Sequence, residues 1–141
     1  MDVTQVPFNQ FLQLENADPV SGALVSLPAD VRYTNHLGTV HAGALLAVAE
    51  AGSGAYLARE LGDVAGFIPV VRRLEAKFRK PATGRVSARV TASPGAAQAW
   101  LDEANARGRV LAGGDNFNGH VGEVVMTATV EWFIARAPEP R

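Results

Sequence analysis

The sequence predicts an α+β fold: an antiparallel sheet wrapped around one long central helix. Two observations carry this expectation. One helical stretch, about residues 40–61, is apolar or small on nearly every face, the pattern of a helix buried all round. Four later stretches alternate apolar and polar residues with period two, as an antiparallel sheet with one covered face requires. The order is strand, buried helix, then four strands, and a sheet curled about the helix satisfies it.

Taken in order, Val6, Phe8, Phe11, Leu12 and Leu14 suggest a short amphipathic helix, about residues 4–15, ended near Asn16 to Pro19. Phe8, Phe11 and Leu12 are too apolar to be left free, so this helix is expected to pack over the sheet or a site entrance. A first strand is expected from Gly22 to Tyr33, bent at Pro28. The central helix follows, with Gly62 as its stop. Val70, Arg72, Leu74, Ala76 and Phe78 then share one face of a strand, and Val86, Ala88 and Val90 one face of the next. Pro81 to Gly84 reads as a hairpin turn, and Asn118 to Gly122 as another. Ala96 to Arg107 reads as a short helix with Trp100 and Leu101 inward, stopped by Gly108. The strand from Arg109 to Phe117 is interrupted by Gly113 and Gly114. The last strand places Val124, Met126, Ala128, Val130, Trp132 and Ile134 on one face. Residues 137–141 are expected to fray.

The 141 residues fit a single domain able to bury a core, and 48% hydrophobic with 19% charged residues marks a globular chain. Thirteen basic residues against fourteen acidic ones give a formal charge of −1, which argues for neither a nucleic-acid nor a membrane partner. The chain has no Cys, so disulfides, thiolate catalysis and Cys-bound zinc are excluded, and a reducing cytoplasm suits it. The start at Asp2 does not look like a signal peptide. The stretch 40–61 is long enough to cross a bilayer, but His41, Glu50, Ser53, Arg59 and Glu60 make insertion costly, so it reads as a core helix. The three His lack a paired spacing, which argues against zinc, and no metal or bound cofactor is expected.

The richest stretch is Asn35, His36, Leu37, Gly38, Thr39, Val40, His41, Ala42 and Gly43, running into the helix that carries Glu50. It places polar groups and free backbone N–H donors at a helix start. Residues three and four away from Glu50 are Leu46, Ala47, Ser53 and Gly54, none of them basic. A buried carboxylate without a charge partner tends to a raised pKa and often marks a working site. Nine residues at roughly 100° each put His41 and Glu50 on opposite sides of the helix, so one chain cannot easily aim both at one substrate.

Asn35, Gly38 to Ala44 and Glu50 resemble the motif of the hotdog-fold acyl-CoA thioesterases, most closely the phenylacetate-pathway type and its uncharacterised relatives. Family members typically show Asn, then His-Gly-Gly-Ala, then Asp or Glu at this spacing. Phe78 to Gly84 looks like the family's segment leading out of a strand, and the element order agrees from about Ser21 to Ala135. The resemblance implies hydrolysis of an acyl-CoA thioester, with CoA as part of the substrate, by a homodimer or homotetramer whose sites lie between subunits. It implies that the Ala42 N–H polarises the thioester carbonyl, that Glu50 is a general base or nucleophile, that Asn35 positions the water or the carboxylate, and that His41 shapes the loop and touches the thioester. Gly43, beside that donor, and Ser53 are expected to contact the substrate. Ala42 departs from the usual Gly: its N–H survives, while its methyl narrows the approach, and a position needing φ > 0 would suit Ala poorly.

Each candidate has a plainer reading. On that reading Glu50 is an interface carboxylate held by hydrogen bonds, His41 a structural loop residue, and Asn35 a turn or cap. Ser53 either bonds Glu50 or simply packs. Arg72, Arg73, Lys77, Arg79, Lys80, Arg85 and Arg89 usually make a solvated sheet face, while Arg79 and Lys80 could hold CoA phosphates. The competing function is a non-catalytic acyl-CoA-binding or regulatory domain of the same fold.

Overall fold

The structure, a computed structural model, describes residues 1–62, 66–121 and 124–138, and of 114–121 only the backbone. The elements are α1 (Pro7–Phe11), β1 (Glu15–Asn16), β2 (Val25–Leu27), α2 (Ala42–Leu61), β3 (Phe67–Phe78), β4 (Val86–Ala92), α3 (Ala96–Arg107), β5 (Arg109–Val121) and β6 (Met126–Arg136). The strands form one sheet in the order β1-β2-β4-β5-β6-β3, all pairs antiparallel. The long helix α2 lies across β2, β4 and β5. Among the described residues no helix is long and apolar enough to cross a membrane.

Period two is cleanest in β6. Met126, Ala128, Val130, Trp132 and Ile134 are all buried while the residues between them are half-covered. In α3, Trp100 and Ala104 face inward, and Gly108 closes the helix at φ 75°, a left-handed angle that favours glycine. The two apolar clusters meet along α2. One joins Val3, Leu14, Val25, Leu27, Leu45, Val48 and Ala88; the other joins Leu57, Trp100, Val110, Val130 and Trp132.

Several expectations are corrected, each for a local or topological reason. The N-terminal segment is not one helix over 4–15. Val3–Gln5 is a 3-10 turn, Pro7 starts α1 at a position needing no N–H, and Gln13 at φ 57° ends it, so Glu15–Asn16 can pair with β2. Phe8 and Phe11 stay 61% and 77% exposed, whereas Val3 and Leu14 are the residues that go inward. The first strand keeps only Val25–Leu27, because Asp30 accepts from the Arg32 N–H at 2.9 Å and winds Val31–Tyr33 into a 3-10 turn.

Pro81 to Gly84 is not a hairpin turn. β3 pairs with β6 while β4 pairs with β2 and β5, so residues 79–85 cross from one end of the sheet toward the other. That link passes the start of α2, where the Ala82 carbonyl accepts from the Val40 N–H at 2.8 Å. Asn118 to Val121 are strand residues of β5, paired with both β4 and β6; Gly122 lies outside the described residues. The break near Gly113 is a bulge. Its φ is 101°, and a Cβ there would lie 2.0 Å from the Val130 carbonyl oxygen, so only glycine fits.

The sheet packs along the middle of α2 and leaves its ends open. Leu45, Val48, Gly52 and Ser53 are buried, whereas Ala42, Gly43, Arg59 and Glu60 are exposed. The outer strand β3 lies at the far end of the sheet, and Val70, Ala76 and Phe78, expected on its covered face, are exposed.

Candidate active site

The loop before α2 is built by its own side chains. Asn35 Oδ1 accepts from the N–H groups of Leu37 (2.9 Å) and Thr39 (3.2 Å), and Asn35 Nδ2 donates to Thr39 Oγ1 (2.9 Å). Gly38 turns the chain at φ 79°. The loop is then pinned to the core, because the His41 N–H donates to the Tyr33 carbonyl at 2.7 Å and both Tyr33 and Val40 are buried. Asn35 thus holds the loop's shape, while His36 and Leu37 point to solvent.

His41 is the N-cap of α2. Its Nδ1 accepts from the Gly43 N–H at 2.8 Å. The His41 carbonyl takes the N–H groups of Ala44 (3.0 Å) and Leu45 (3.1 Å). Ala42 is what remains: among the described residues its N–H has no acceptor, and the residue is exposed. Ala42 is the first helical residue and is not at positive φ, so a methyl costs no backbone strain. An exposed, unspent N–H at the positive end of a twenty-residue helix is a donor aimed at a negative charge.

Glu50 sits half-buried about two turns further along α2, and burial alone pushes its carboxyl above the ordinary value. No ion pair reaches it among the described residues. It lines a cavity of about 260 Å³ walled by α2, by the ends of β3 and β6, and by Met1, Val3, Val6 and Asn9 of the N-terminal segment. Asn9 keeps that segment closed, its Nδ2 donating to the Val3 carbonyl at 2.9 Å. Ser53 is 2% exposed; its hydroxyl donates to the Glu50 main-chain carbonyl (2.7 Å) and accepts from Trp132 Nε1 (2.9 Å). It therefore braces the helix and the indole and makes no bond to the Glu50 carboxylate.

Within one chain the two halves do not meet. The cavity at Glu50 is lined by none of residues 35 to 43. At 1.5 Å per residue, nine residues separate His41 from Glu50 by about 13 Å along the axis, on opposite sides. Arg79 and Lys80 lie exposed at the end of β3, where both N–H groups donate to the Val125 carbonyl (2.8 and 3.3 Å). The link that follows them touches the start of α2 through Ala82, which brings this basic pair toward the Ala42 end rather than the Glu50 cavity. Within the same cluster Arg72 pairs with Glu131, Arg73 with Glu75 and Arg85 with Glu15, and Arg79 Nη2 donates to Thr127 Oγ1 at 3.4 Å. Sequence reasoning missed Val3, Gly54 and Trp132 as cavity residues. The one available signal was the Gly-Ser-Gly run over 52–54, out of place in a helix interior.

The chain belongs to the family described as Domain of unknown function (DUF4442), which matches residues 11–134. No curated protein matches it. Among solved structures, it is similar to a Pseudomonas aeruginosa protein of unknown function described as a probable thioesterase, with 25% identity over 95% of this chain and 91% of that one, TM-score 0.75. A Bacillus halodurans protein crystallised with CoA shares 22% identity over 90% of this chain and 74% of that one, TM-score 0.64. A phenylacetic acid degradation-related protein from Ralstonia eutropha shares 23% identity over 91% and 90%, TM-score 0.63. The fold is thus the hotdog fold of the thioesterase superfamily, as the motif around Asn35 to Glu50 led one to expect.

Proposed function

We propose that the protein hydrolyses acyl-CoA thioesters, at a site made from the α2 start of one subunit and Glu50 of a second. The observation that carries this reading is Glu50: a half-buried carboxylate lining a largely apolar cavity, with no ion pair among the described residues. The unspent Ala42 N–H supplies the complementary donor, and the CoA held by the Bacillus halodurans relative supports the leaving group. The outer strand β3 supports the dimer. It is twelve residues long, is bonded on one side to β6, and leaves Ile68, Val70, Val71 and Phe78 exposed.

In this reading Glu50 takes a proton from water, and the water oxygen attacks the thioester carbonyl carbon. The carbonyl oxygen gains negative charge and is held by the Ala42 N–H and the helix dipole. The C–S bond then breaks, and the CoA thiolate leaves with the proton that Glu50 carried. A raised carboxyl pKa suits this double duty, since base and acid roles are balanced nearer neutrality. Asn35 acts through the loop it shapes, His41 keeps the Gly43 N–H occupied, and Arg79 and Lys80 are placed to meet phosphate.

Complementation tests the composite site. Ala42→Pro deletes one N–H with little cost to the helix: proline is at home at the first helical position, and His41 (φ −63°, ψ 140°) already has the extended backbone a following proline requires. Loss of one such donor is expected to cost about 10²–10³-fold in kcat, read as thiol release from a panel of acyl-CoA esters. Mixing Ala42→Pro with Glu50→Gln after joint refolding should restore about a quarter of wild-type activity, since half the dimers then hold one intact site. Two inactive variants that stay inactive when mixed would place both groups in one chain and end this reading.

A further inference from the structure

The cavity beside Glu50 has a direction. Along α2 its wall is Glu50, Gly54, Ala58 and Leu61, members three or four residues apart that form one stripe down the helix. Eleven residues at 1.5 Å make that stripe about 16 Å long. The ionisable side chain stands at one end only, and Leu57, Phe67, Pro69 and Ile134 line the remainder. Trp132 forms one side wall, its indole fixed by the bond from Nε1 to Ser53 Oγ at 2.9 Å. Val3 forms the facing wall from the N-terminal segment.

One turn below Glu50 the helix carries no side chain. A Cβ built on Gly54 would stand 3.5 Å from Val3 Cγ1 and 3.5 Å from Trp132 Cζ2, ordinary contact distance on both sides. One added carbon on Gly54 would therefore fill the space between Val3 and Trp132 that the glycine leaves open. An extended carbon chain built from bonds of about 1.5 Å at about 111° advances roughly 1.25 Å per carbon. The stripe then holds about twelve carbons, and fewer once the reacting carbonyl and water occupy the Glu50 end.

The geometry points to this cavity as the acyl-chain site for unbranched acyl groups of about eight to ten carbons, with Gly54 as the residue that sets chain length. This rests on the thioesterase reading for the role of the carboxylate, but not for the shape of the channel. Burying each methylene should raise kcat/KM about three- to fourfold until the cavity is full. The N-terminal segment is then part of the site, because Val3 supplies the wall opposite Trp132.

The test is a chain-length profile. The wild-type protein, Gly54→Ala and Gly54→Val are assayed on straight-chain acyl-CoA esters from two to sixteen carbons and on phenylacetyl-CoA, with folding checked by circular dichroism. The wild type should peak near eight to ten carbons. Gly54→Ala should lower the ratio of kcat/KM for decanoyl- over butanoyl-CoA at least tenfold and move the peak to shorter chains. A folded Gly54→Ala with an unchanged ratio, or a wild type that prefers phenylacetyl-CoA, would overturn the proposal. If no ester is hydrolysed, titration calorimetry with decanoyl-CoA and acetyl-CoA decides. Tighter decanoyl-CoA binding that Gly54→Ala removes would support the channel while the hydrolase reading falls. Equal binding of the two would overturn the channel as well.

Discussion

Gly52 and Gly54 stand two residues apart in one helix and are glycines for opposite reasons. A Cβ on Gly52 would lie 2.6 Å from the Cβ of Ala88, so the helix touches β4 there with no room for a methyl. A Cβ on Gly54 would meet Val3 and Trp132 at 3.5 Å, so a methyl fits and would plug the gap between them. About 200° of helical rotation separates the two, which puts one on the packed face and the other on the face that carries Glu50. One face of α2 is closed by contact and serves stability. The other is kept open, at a cost in helix propensity, beside a half-buried carboxylate.

The largest expected effect lies on the open face. Glu50→Gln keeps the side-chain shape and removes the base, so kcat for the best acyl-CoA should fall about 10²–10⁴-fold with little change in substrate binding. Steady-state thiol release reads it. Wild-type turnover in Glu50→Gln would make the carboxyl structural, and the contrast between the faces would then concern packing alone.

The closed face should respond in stability instead. Gly52→Ala gains helix propensity but must push α2 off β4, and Ala88 has no flexible end to move aside. Overpacking of this kind typically costs about 1–3 kcal/mol, so the urea midpoint should drop while the folded protein still turns over substrate. A variant as stable as wild type would mean that helix and sheet are less tightly seated than the 2.6 Å contact requires.

The contrast also marks what the sequence could reveal. The helix over 42–61, the inward face of β6, and α3 with its Gly108 stop follow from periodicity and capping, which are local. Glu50 was legible because no basic residue stands one turn away on either side, and Ala42 and His41 because a helix start exposes donors. The pairing of β3 with β6 was not legible. Pro81 to Gly84 has turn composition, but which strands a turn joins depends on contacts distant in sequence. Nor did anything local distinguish Gly52 from Gly54, since one is defined by Ala88 and the other by Val3 and Trp132. The residues that enclose the cavity come from both ends of the chain, and only the fold brings Val3 to Trp132.

A smaller effect of opposite sign is expected one turn from the carboxylate. Gly54→Ala relieves a glycine in a helix interior and places its methyl at contact distance without overlap, so it should stabilise the fold by up to about 1 kcal/mol. Equilibrium urea unfolding of Gly52→Ala and Gly54→Ala together is the sharpest comparison. The two substitutions are chemically identical, and their stabilities should shift in opposite directions. Shifts of the same sign would erase the distinction between the faces.

The smallest effect is on stability against pH, and its sign follows from burial. Desolvation raises the Glu50 pKa above its ordinary value of 4.5, with no opposing charge to lower it. Between the ordinary and raised values the folded protein holds a proton that the unfolded chain has lost, so stability falls as pH rises. The contribution is full below the ordinary value and is lost as pH climbs through the folded value. Glu50→Gln has no proton to lose. It should match wild type at pH 4 and be the more stable of the two above the folded pKa, the gap opening with pH and then levelling. The gap should be small, because the cavity opens to water at one side and solvent screens the charge. Gly52→Ala, which touches no ionisable group on its own face, should run parallel to wild type throughout. Urea midpoints for the three proteins from pH 4 to pH 8 give the comparison directly. A gap that narrows toward pH 8 would mean that a cation reaches Glu50 in solution, and the carboxylate on the open face would then be a paired charge rather than a poised base.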